Sequence, residues 1–394
     1  MPGALDGVKV IDMSAVIAGP MATQILADQG AAVIKIENPG LGDMARYLGP
    51  QSGGMGAMFA AVNRNKRSIA LNLKSPQGKA VFLDLIKSAD AVVENYRPGA
   101  LERMGLTYDT LRPLNPGLIY VAMSGFGQSG PYAKRRVYDP VIQAVSGIAD
   151  SQSDPLTGEP RLIQSIVADK VAALTVSQTI TAALYAKAKG AGGQFIEFNM
   201  LMAAIAFQWP DTMYNHIFLA DGVTHMPDFA KFYDIMKTLD GFVTVIVISD
   251  DEFADFARAV GKPDLAKDPR FANIFLRLQH AEDLKAEMKT AMATFETAEI
   301  VKRLEAEDVP HARVLKREEV LEDPQVKFIK ALVETTHPKA GRMREPRPVA
   351  NFSMTPSTIR RPAPMLGEHT DEILHELGKS DADIATLRAA GAVA

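Results

Sequence analysis

Short apolar runs alternate with helix-forming segments through the first third of the chain, and this order constrains the fold most. The run VKVIDM (8–13) precedes a helical segment over 19–31 with Pro20 in its first turn, and AVIKIE (32–37) follows. Proline suits the first turn of a helix, and a strand–helix–strand order brings its two strands together in parallel. The pattern therefore predicts a parallel β-sheet.

The same alternation continues through three more predicted strands. They lie over residues 68–73, 91–96 and 118–127, and a helix over 75–89 separates the first two. Strands and helices at this spacing are typical of a sheet that carries helices on both faces. The predicted fold class is α/β, with a doubly wound, mostly parallel, Rossmann-like sheet.

The chain changes character near residue 225. An apolar strand over 240–249 is followed by charged amphipathic helices and one more short strand. This order predicts a smaller α+β domain over residues 225–325. A Pro- and Arg-rich extended strap then leads to a last helix over 370–378, which Thr370 is expected to cap.

Composition excludes several kinds of chemistry and partner. The 394 residues contain no cysteine, which excludes disulfides, thiolate nucleophiles and cysteine-ligated metals. The 43 Lys and Arg residues against 47 Asp and Glu give a net charge of −4, which argues against a nucleic-acid partner. The apolar stretch over 171–186 is too short to span a membrane, and the N-terminus lacks the order of a signal peptide. We therefore expect a cytoplasmic protein with no membrane partner.

Two motifs invite a cofactor or metal interpretation, and both are weak. GFGQSG (125–130) matches a dinucleotide-binding glycine pattern, but Pro131 and a basic run follow where a helix should open. His369 and His375 are six residues apart, which fits neither a helical metal pair nor a zinc finger. A glycine-rich turn and a surface helix are the preferred interpretations, and no metal site is predicted.

Basic residues cluster at three places near predicted strand ends, namely 63–68, 94–105 and 133–139. One such cluster is usually solvated surface charge, but three at the ligand-binding edge of an α/β sheet favour a small polyanion. Asp169 lies at the start of a long predicted helix, where an aspartate usually serves as the N-cap. Helix amides and the helix dipole would keep such a carboxylate ionised, and an ionised carboxylate can attack a thioester.

The order of motifs along the chain resembles the class III CoA-transferase family, which includes formyl-CoA transferase, carnitine CoA-transferase and α-methylacyl-CoA racemase. The matching segments include LDGVKVIDMSAVIAGP, NRNKRSIALNLKSPQG, LNPGLIYVAMSGFGQSGP, YDPVIQAVSG and LGEHTDEIL, and they run nearly from end to end. The resemblance implies a large CoA-binding α/β domain over 1–224 together with 326–394, beside the small domain over 225–325. It also implies an interlocked homodimer.

The family resemblance assigns roles to particular residues. Asp169 corresponds to the aspartate that becomes acylated. The positions that correspond to CoA contacts are Ile17, Ala18, Asn38, Leu71, Asn72, Leu73, Lys74, Asn95, Tyr96, Arg97, Arg103, Arg135, Arg136, Val137 and Tyr138. Some members carry arginine where this chain has Asn38, so one nucleotide contact is missing or replaced here.

The resemblance implies transfer of CoA from an acyl-CoA to a carboxylic acid through an aspartyl-acyl anhydride and an aspartyl-CoA thioester. CoA and acyl-CoA are then substrates, and no tightly bound cofactor is expected. Backbone amides near 125–130 or at Lys170 are candidates to hold the oxyanions. A racemase of the same family is the alternative, although Tyr138 stands where racemases have histidine and is a poor base near neutral pH. A nicotinamide-dependent oxidoreductase and a silent CoA-binding subunit are the other rivals.

Two departures from the family pattern concern the acid substrate. Ile17 replaces the glutamine of the formyl-CoA/oxalate enzymes, and the glycine-rich loop of their small domain is missing between Asp221 and Asp240. These differences favour a less polar acid than oxalate, such as a small dicarboxylate. His225 and Lys231 are candidates to bind its second carboxylate.

Overall fold

The computed structural model describes residues 2–154, 157–226 and 233–394. Within them the chain forms two compact units. Met1–Phe207 together with Phe328–Ala394 form the first unit, and Gln208–Lys327 form the second. Lys231 lies outside the described residues. Among those residues, no helix is long and apolar enough to cross a membrane.

A six-stranded sheet organises the first unit, and its five pairings are all parallel. The strands are β1 (Lys9–Asp12), β2 (Ala32–Glu37), β3 (Lys66–Ala70), β4 (Ala91–Glu94), β5 (Ile119–Ser124) and β6 (Gln194–Asn199). Their spatial order is β3-β2-β1-β4-β5-β6. This is the Rossmann order, in which the chain winds outward in both directions from β1. The predicted parallel α/β sheet is confirmed.

Alternating side chains bury both faces of this sheet. Val10 and Val33 lie in one apolar core, while their neighbours Ile11 and Ile34 lie in the other. Successive strand residues point to opposite faces, so a strand with apolar residues at consecutive positions must be covered on both sides. Helices supply that cover.

The helices of the first unit divide between the two faces. They are α1 (Ala18–Asp28), α2 (Ala57–Asn63), α3 (Pro76–Ile86), α4 (Ala100–Met104), α5 (Tyr108–Leu111), α6 (Asp139–Ser146), α7 (Ile148–Ser151), α8 (Val167–Ala186) and α9 (Met200–Gln208). Leu26 of α1 and Val176 of α8 fill the core on one face, and Phe82 of α3 fills the other. The long helix α8 packs directly against α1, the helix that follows the β1–α1 turn.

The second unit is a small α+β body. Its antiparallel sheet contains β7 (Ile235–Lys237), β8 (Phe242–Val245) and β9 (His311–Arg313), with β8 in the centre. Its helices are α10 (Asp250–Ala259), α11 (Ile274–Gln279), α12 (Ala281–Met292), α13 (Thr297–Ala306) and α14 (Arg317–Val320), and α15 (Pro324–Phe328) ends at the unit boundary. Buried Phe253, Phe256 and Phe271 lie at its core.

The C-terminal segment returns to the first unit. An antiparallel hairpin of β10 (Leu332–His337) and β11 (Gly341–Pro346) opens this segment, and β11 lies at the start of the predicted extended strap. Helices α16 (Thr370–Glu376) and α17 (Asp381–Ala389) follow. Ile373 and Leu374 are fully buried in the same core as α3, so this segment completes one face of the sheet.

The prediction for the helix over 370–378 is wrong in two respects, because α17 follows it and Thr370 does not cap it. The N-cap is His369, and it makes no side-chain capping bond. The Thr370 hydroxyl instead accepts the backbone N–H of Ala70 at 3.2 Å, which ties α16 to the end of β3. Packing against the sheet therefore decides the role of this hydroxyl.

Candidate active site

Two of the cavities along the carboxyl edge of the sheet lie where its winding reverses. One, of about 240 Å³, is lined by Asp169, the β1–α1 turn and the loops after β4 and β5. The other, of about 200 Å³, is lined by the ends of β1 and β2. Ala15, Asn95 and Tyr96 line both cavities, so the two adjoin. Open α/β sheets bind their ligands at this switch point.

Asp169 projects from the first turn of α8 and is half-buried. The helix begins at Val167, and its N-cap Ile166 makes no side-chain capping bond. The interpretation of Asp169 as an N-cap is therefore wrong by three residues. Its side chain is left to face the cavity instead of its own helix amides.

A different aspartate supplies the missing cap. Asp139, the first residue of α6, is 2% exposed. Its Oδ2 accepts the backbone N–H of Ala168 at 2.7 Å and that of Asp169 at 3.1 Å. Its Oδ1 accepts a bond from Gln143 Nε2 at 2.5 Å, and Gln143 Oε1 accepts the N–H of Ile163 at 2.9 Å. This chain of bonds satisfies helix amides that would otherwise be unpaired and fixes the start of α8.

The electrostatics of Asp169 follow from this arrangement. Burial, and secondarily the nearby carboxylate of Asp139, raise the pKa of Asp169 to about 6. The expectation that helix amides favour its ionised form is wrong, because Asp139 accepts those amides. Near neutral pH the group is still mostly ionised, and a carboxylate of raised pKa is more basic than an ordinary aspartate.

Many of the predicted CoA contacts line these cavities. Those around the cavity of Asp169 are Ala18, Asn95, Tyr96, Arg97, Arg135, Arg136, Val137 and Tyr138, and Asn38 lines the adjoining cavity. Arg97, Arg135 and Arg136 are exposed, and the Arg135 guanidinium lies 3.7 Å from the ring centre of Tyr132. Three cations at one rim would attract an anionic ligand.

The remaining predicted contacts lie elsewhere. Ile17, Leu71 and Leu73 are buried, and the last two lie in the apolar core. Asn72 Nδ2 donates to the carbonyl of Gly391 at 3.2 Å. The side chains of Lys74 and Arg103 are exposed.

The side-chain amide of Asn95 makes two hydrogen bonds to the backbone of Ala15. Its Oδ1 accepts the N–H of Ala15 at 2.9 Å, and its Nδ2 donates to the carbonyl of Ala15 at 2.8 Å. The side chain thus joins the loop after β4 to the loop after β1. The wall shared by the two cavities is built on this pair.

The glycine-rich segment after β5 has no helix at its end. Beyond Gly130 the chain makes turns, and the next helix begins at Asp139. The N–H of Gly127 donates to Ser124 Oγ at 2.9 Å, and that of Gln128 donates to Glu197 Oε1 at 2.8 Å. These two amides are therefore engaged within the protein and not directed at the cavity of Asp169.

Among the residues that the structure describes, no group of three or more His, Asp or Glu side chains is placed to hold a metal ion. His369 Nδ1 accepts the N–H of Ser68 at 3.3 Å, and His375 Nδ1 lies 3.0 Å from the carbonyl of Lys379. Both rings thus bond to the backbone. His225 belongs to the second unit.

Sequence reasoning missed two acidic residues of this site. Asp139 follows Tyr138 directly and precedes a proline at the start of a helix, which is the one local signal that it has a capping role. Asp43 lines the smaller cavity and is 4% exposed. Its signal is weak, because an aspartate after glycine in a loop is usually solvated.

The fold and the cavities define an α/β protein with a ligand cleft at its switch point, basic at the rim and with a half-buried carboxylate inside. The family model described as CoA-transferase family III matches residues 5–370. The chain therefore belongs to CoA-transferase family III, and its class of activity is CoA transfer.

Named relatives match almost the whole chain. The human succinyl-CoA:glutarate CoA-transferase is 34% identical over 99% of this chain and 90% of its own length. The formyl-CoA:oxalate CoA-transferase of Escherichia coli O157:H7 is 32% identical over 98% of this chain and 99% of its own length. A crystal structure of a CAIB/BAIF family protein from Brucella suis is 31% identical, with a TM-score of 0.82. It covers 96% of this chain and 100% of that protein.

Proposed function

We propose that this chain transfers CoA from an acyl-CoA to a small dicarboxylate, with Asp169 as the nucleophile. The observation that carries the proposal is the half-buried carboxylate of Asp169 at the wall of a cavity rimmed by Arg97, Arg135 and Arg136. Its raised pKa supports the role, since a more basic carboxylate is a better nucleophile while it remains ionised near pH 7.

The first half of the reaction exchanges the donor acid for the aspartate. A carboxylate oxygen of Asp169 attacks the thioester carbonyl, the carbon–sulfur bond breaks, and CoA leaves as the thiolate. The product on the enzyme is a mixed anhydride. The thiolate then attacks the Asp169 carbonyl carbon, the anhydride carbon–oxygen bond breaks, and the donor acid leaves as its carboxylate. An aspartyl-CoA thioester remains.

The second half repeats these steps with the acceptor. The acceptor carboxylate attacks the aspartyl carbonyl and expels the thiolate, giving a new mixed anhydride. The thiolate then attacks the acceptor's carbonyl carbon, which forms the new acyl-CoA and restores the Asp169 carboxylate. Each step exchanges one activated acyl group for another, so the scheme requires no external energy source.

The two adjoining cavities support a path for CoA along the carboxyl edge of the sheet. We assign the thioester end to the cavity of Asp169 and the nucleotide end to the side of Asn38, with the shared wall at Tyr96 between them. Arg97, next to the shared wall at Tyr96, suits the phosphates of CoA, and Arg135 and Arg136 suit anionic groups nearer the thioester. We also propose Leu71–Lys74 and Arg103 as CoA contacts, because these positions correspond to CoA contacts in the family.

The names of the relatives favour a dicarboxylate. Succinate, glutarate and oxalate, which appear in those names, share a second carboxylate beyond the one that is activated. Ile17 stands where oxalate enzymes carry glutamine, so we favour succinyl-CoA as donor and a dicarboxylate of similar length as acceptor. We also propose that the first unit binds CoA and that two chains form an interlocked homodimer.

The test is a panel of acyl-CoA donors and acids, with product acyl-CoA measured by mass spectrometry. Succinyl-CoA with a four- to six-carbon dicarboxylate is expected to give new acyl-CoA with the wild-type chain. The Asp169→Asn variant should give none, yet should still bind CoA. Incorporation of deuterium at the α-carbon of a branched acyl-CoA, without any exchange of acids, would overturn transfer in favour of the racemase.

A further inference from the structure

The turn between β1 and α1 forms the wall that the two cavities share. Ala15 lines both cavities, and Val16 and Ala18 line the one that contains Asp169. Val16 has a φ of +70°, a backbone conformation that β-branched residues rarely adopt because the side chain crowds the backbone. Such a turn persists only where its surroundings hold it in place.

Three side chains, two of them buried, hold this turn by its backbone. Asp12 Oδ1 accepts the N–H of Ser14 at 2.9 Å, and Asn95 bonds both backbone groups of Ala15. Asp43 Oδ1 accepts the N–H of Val16 at 3.0 Å. The strained residue is therefore fixed by one carboxylate oxygen, which reaches it across 27 positions of sequence.

A buried lysine fixes that carboxylate in turn. Lys35 Nζ lies 2.9 Å from Asp43 Oδ2 and donates to the carbonyl of Ser14 at 2.8 Å. Lys35 is fully buried and Asp43 is 4% exposed. One ammonium group thus contacts the turn directly and also orients the aspartate that holds Val16.

The charge on this lysine is stable. Burial alone would lower the pKa of Lys35, but the carboxylates of Asp12, Asp43 and Glu37 outweigh it and raise the pKa above its ordinary value. The ammonium group of Lys35 therefore keeps its charge at neutral pH, 2.9 Å from the carboxyl group of Asp43. A buried pair of this kind is costly to break from one side, because the remaining charge has no partner.

We propose that Asp43, oriented by Lys35, is a positioning residue for CoA transfer, which holds the strained Val16 turn in the shape that binds CoA beside Asp169. The inference rests on the proposed CoA site and adds a residue that touches neither reacting atom. Asp43 acts through the N–H of Val16, so a substitution that keeps the acceptor and one that removes it should behave differently.

The experiment compares four proteins by calorimetric titration with CoA and by hydrogen exchange at the Val16 amide. They are the wild type, Asp43→Ala, Asp43→Asn and the control Asp28→Ala. Asp28 is a matched control because it is equally buried, accepts bonds from Arg64 and Asn65, and lies at the opposite end of α1. All titrations are made at a temperature where circular dichroism shows each variant to be folded.

Asp43→Ala is expected to raise the Kd for CoA about tenfold, the equivalent of one lost buried hydrogen bond, and to speed exchange at Val16. Asp43→Asn keeps an acceptor oxygen for the Val16 N–H, so the folded protein should retain most of the protection at Val16 and most of the affinity for CoA. Its free energy of unfolding should fall, because Lys35 loses the charge of Asp43. Asp28→Ala should lose stability and keep its affinity for CoA.

Two outcomes overturn the positioning role while leaving the proposed function intact. One is an Asp43→Ala protein that binds CoA within about twofold of the wild type. The other is an equal loss of affinity in Asp28→Ala, which would show a general effect of destabilisation. A wild-type chain that binds no CoA would instead overturn the proposed function itself.

Discussion

The carboxylate of Asp139 accepts the backbone N–H of Asp169 at 3.1 Å, across thirty positions of sequence. One aspartate thereby satisfies the amides at the start of α8, and the other is left facing the cavity with a pKa raised to about 6. Two neighbouring carboxylates in different environments take different roles, a pattern common in active sites. Asp139 is therefore the residue through which the basicity of Asp169 can be changed without touching it.

Removing the charge of Asp139 should move the pH dependence of the reaction. The proposed nucleophile is active when ionised, so the wild-type rate should fall as the pH drops through about 6. Asp139→Asn keeps an acceptor for α8 but removes one of the two causes of the raised pKa, so the acid limb should move to lower pH. The measurement is the initial rate of acyl-CoA exchange from pH 4.5 to 8. The control is Asp150→Asn, at an exposed carboxylate, which should leave the acid limb of the pH profile where it is. An acid limb that also stays unchanged in Asp139→Asn would contradict the role of Asp139.

Replacing Asp169 should stabilise the fold at neutral pH. Because the folded-state pKa lies above the ordinary value of 3.8, ionised Asp169 costs stability. This cost develops as the pH rises from about 4 to 6 and stays constant at higher pH. At pH 8 the free energy of unfolding of Asp169→Asn should therefore exceed that of the wild type by about 1–3 kcal/mol. Urea unfolding at pH 8 and pH 4 measures the difference. The gain should vanish at pH 4, and a loss of stability at pH 8 would contradict the prediction.

The rim arginines should contribute affinity for CoA that depends on salt. Arg97→Ala is expected to raise the Kd for CoA about tenfold at low ionic strength, and less at high salt, because exposed charges are screened. Titration calorimetry at two salt concentrations measures both effects. Arg303, exposed on α13 of the second unit, provides the matched substitution. Equal effects of Arg97→Ala and Arg303→Ala would place the CoA phosphates elsewhere.

The returning C-terminal segment should matter for stability. Ile373 is fully buried in the apolar core that it shares with the sheet and α3, so Ile373→Ala should cost about 2–4 kcal/mol in the free energy of unfolding. Val349, which is 99% exposed, is the control truncation and should change little. Urea denaturation of both variants tests this. An Ile373→Ala protein as stable as Val349→Ala would mean that α16 does not complete the core.

The sheet was predictable because its strands carry apolar residues at consecutive positions. This pattern can be recognised from the sequence alone. The prediction began β3 at residue 68, whereas the strand begins at Lys66. A lysine reads as exposed in a sequence, yet Lys66 is fully buried and donates to Asp12 at 2.8 Å. Only the packing of β1 beside β2 and β3 brings that partner within reach.

The sequence was enough to select Asp169 as a site residue, but not to find the residues that hold the site in place. Asp169 stood out by its place at a helix start, but the pattern assigned it the cap that Asp139 provides. Asp43 and Val16 are linked by one bond across a turn, and no local pattern reports such a bond. Outside the site, α17 was not predicted, although Ser380 and Asp383 at its start have the spacing of a capping box.

During CoA transfer Asp169 is expected to carry an activated acyl group, first as an anhydride and then as a CoA thioester. Chemical trapping of this group tests the proposed mechanism most directly. The wild-type chain is incubated with succinyl-CoA, treated with hydroxylamine, which converts activated aspartyl groups to hydroxamates, and digested for peptide mass spectrometry. We expect the hydroxamate on the peptide that contains Asp169, and none in Asp169→Asn. A trapped hydroxamate at another carboxylate, or turnover of succinyl-CoA with no modification of Asp169, would contradict the account.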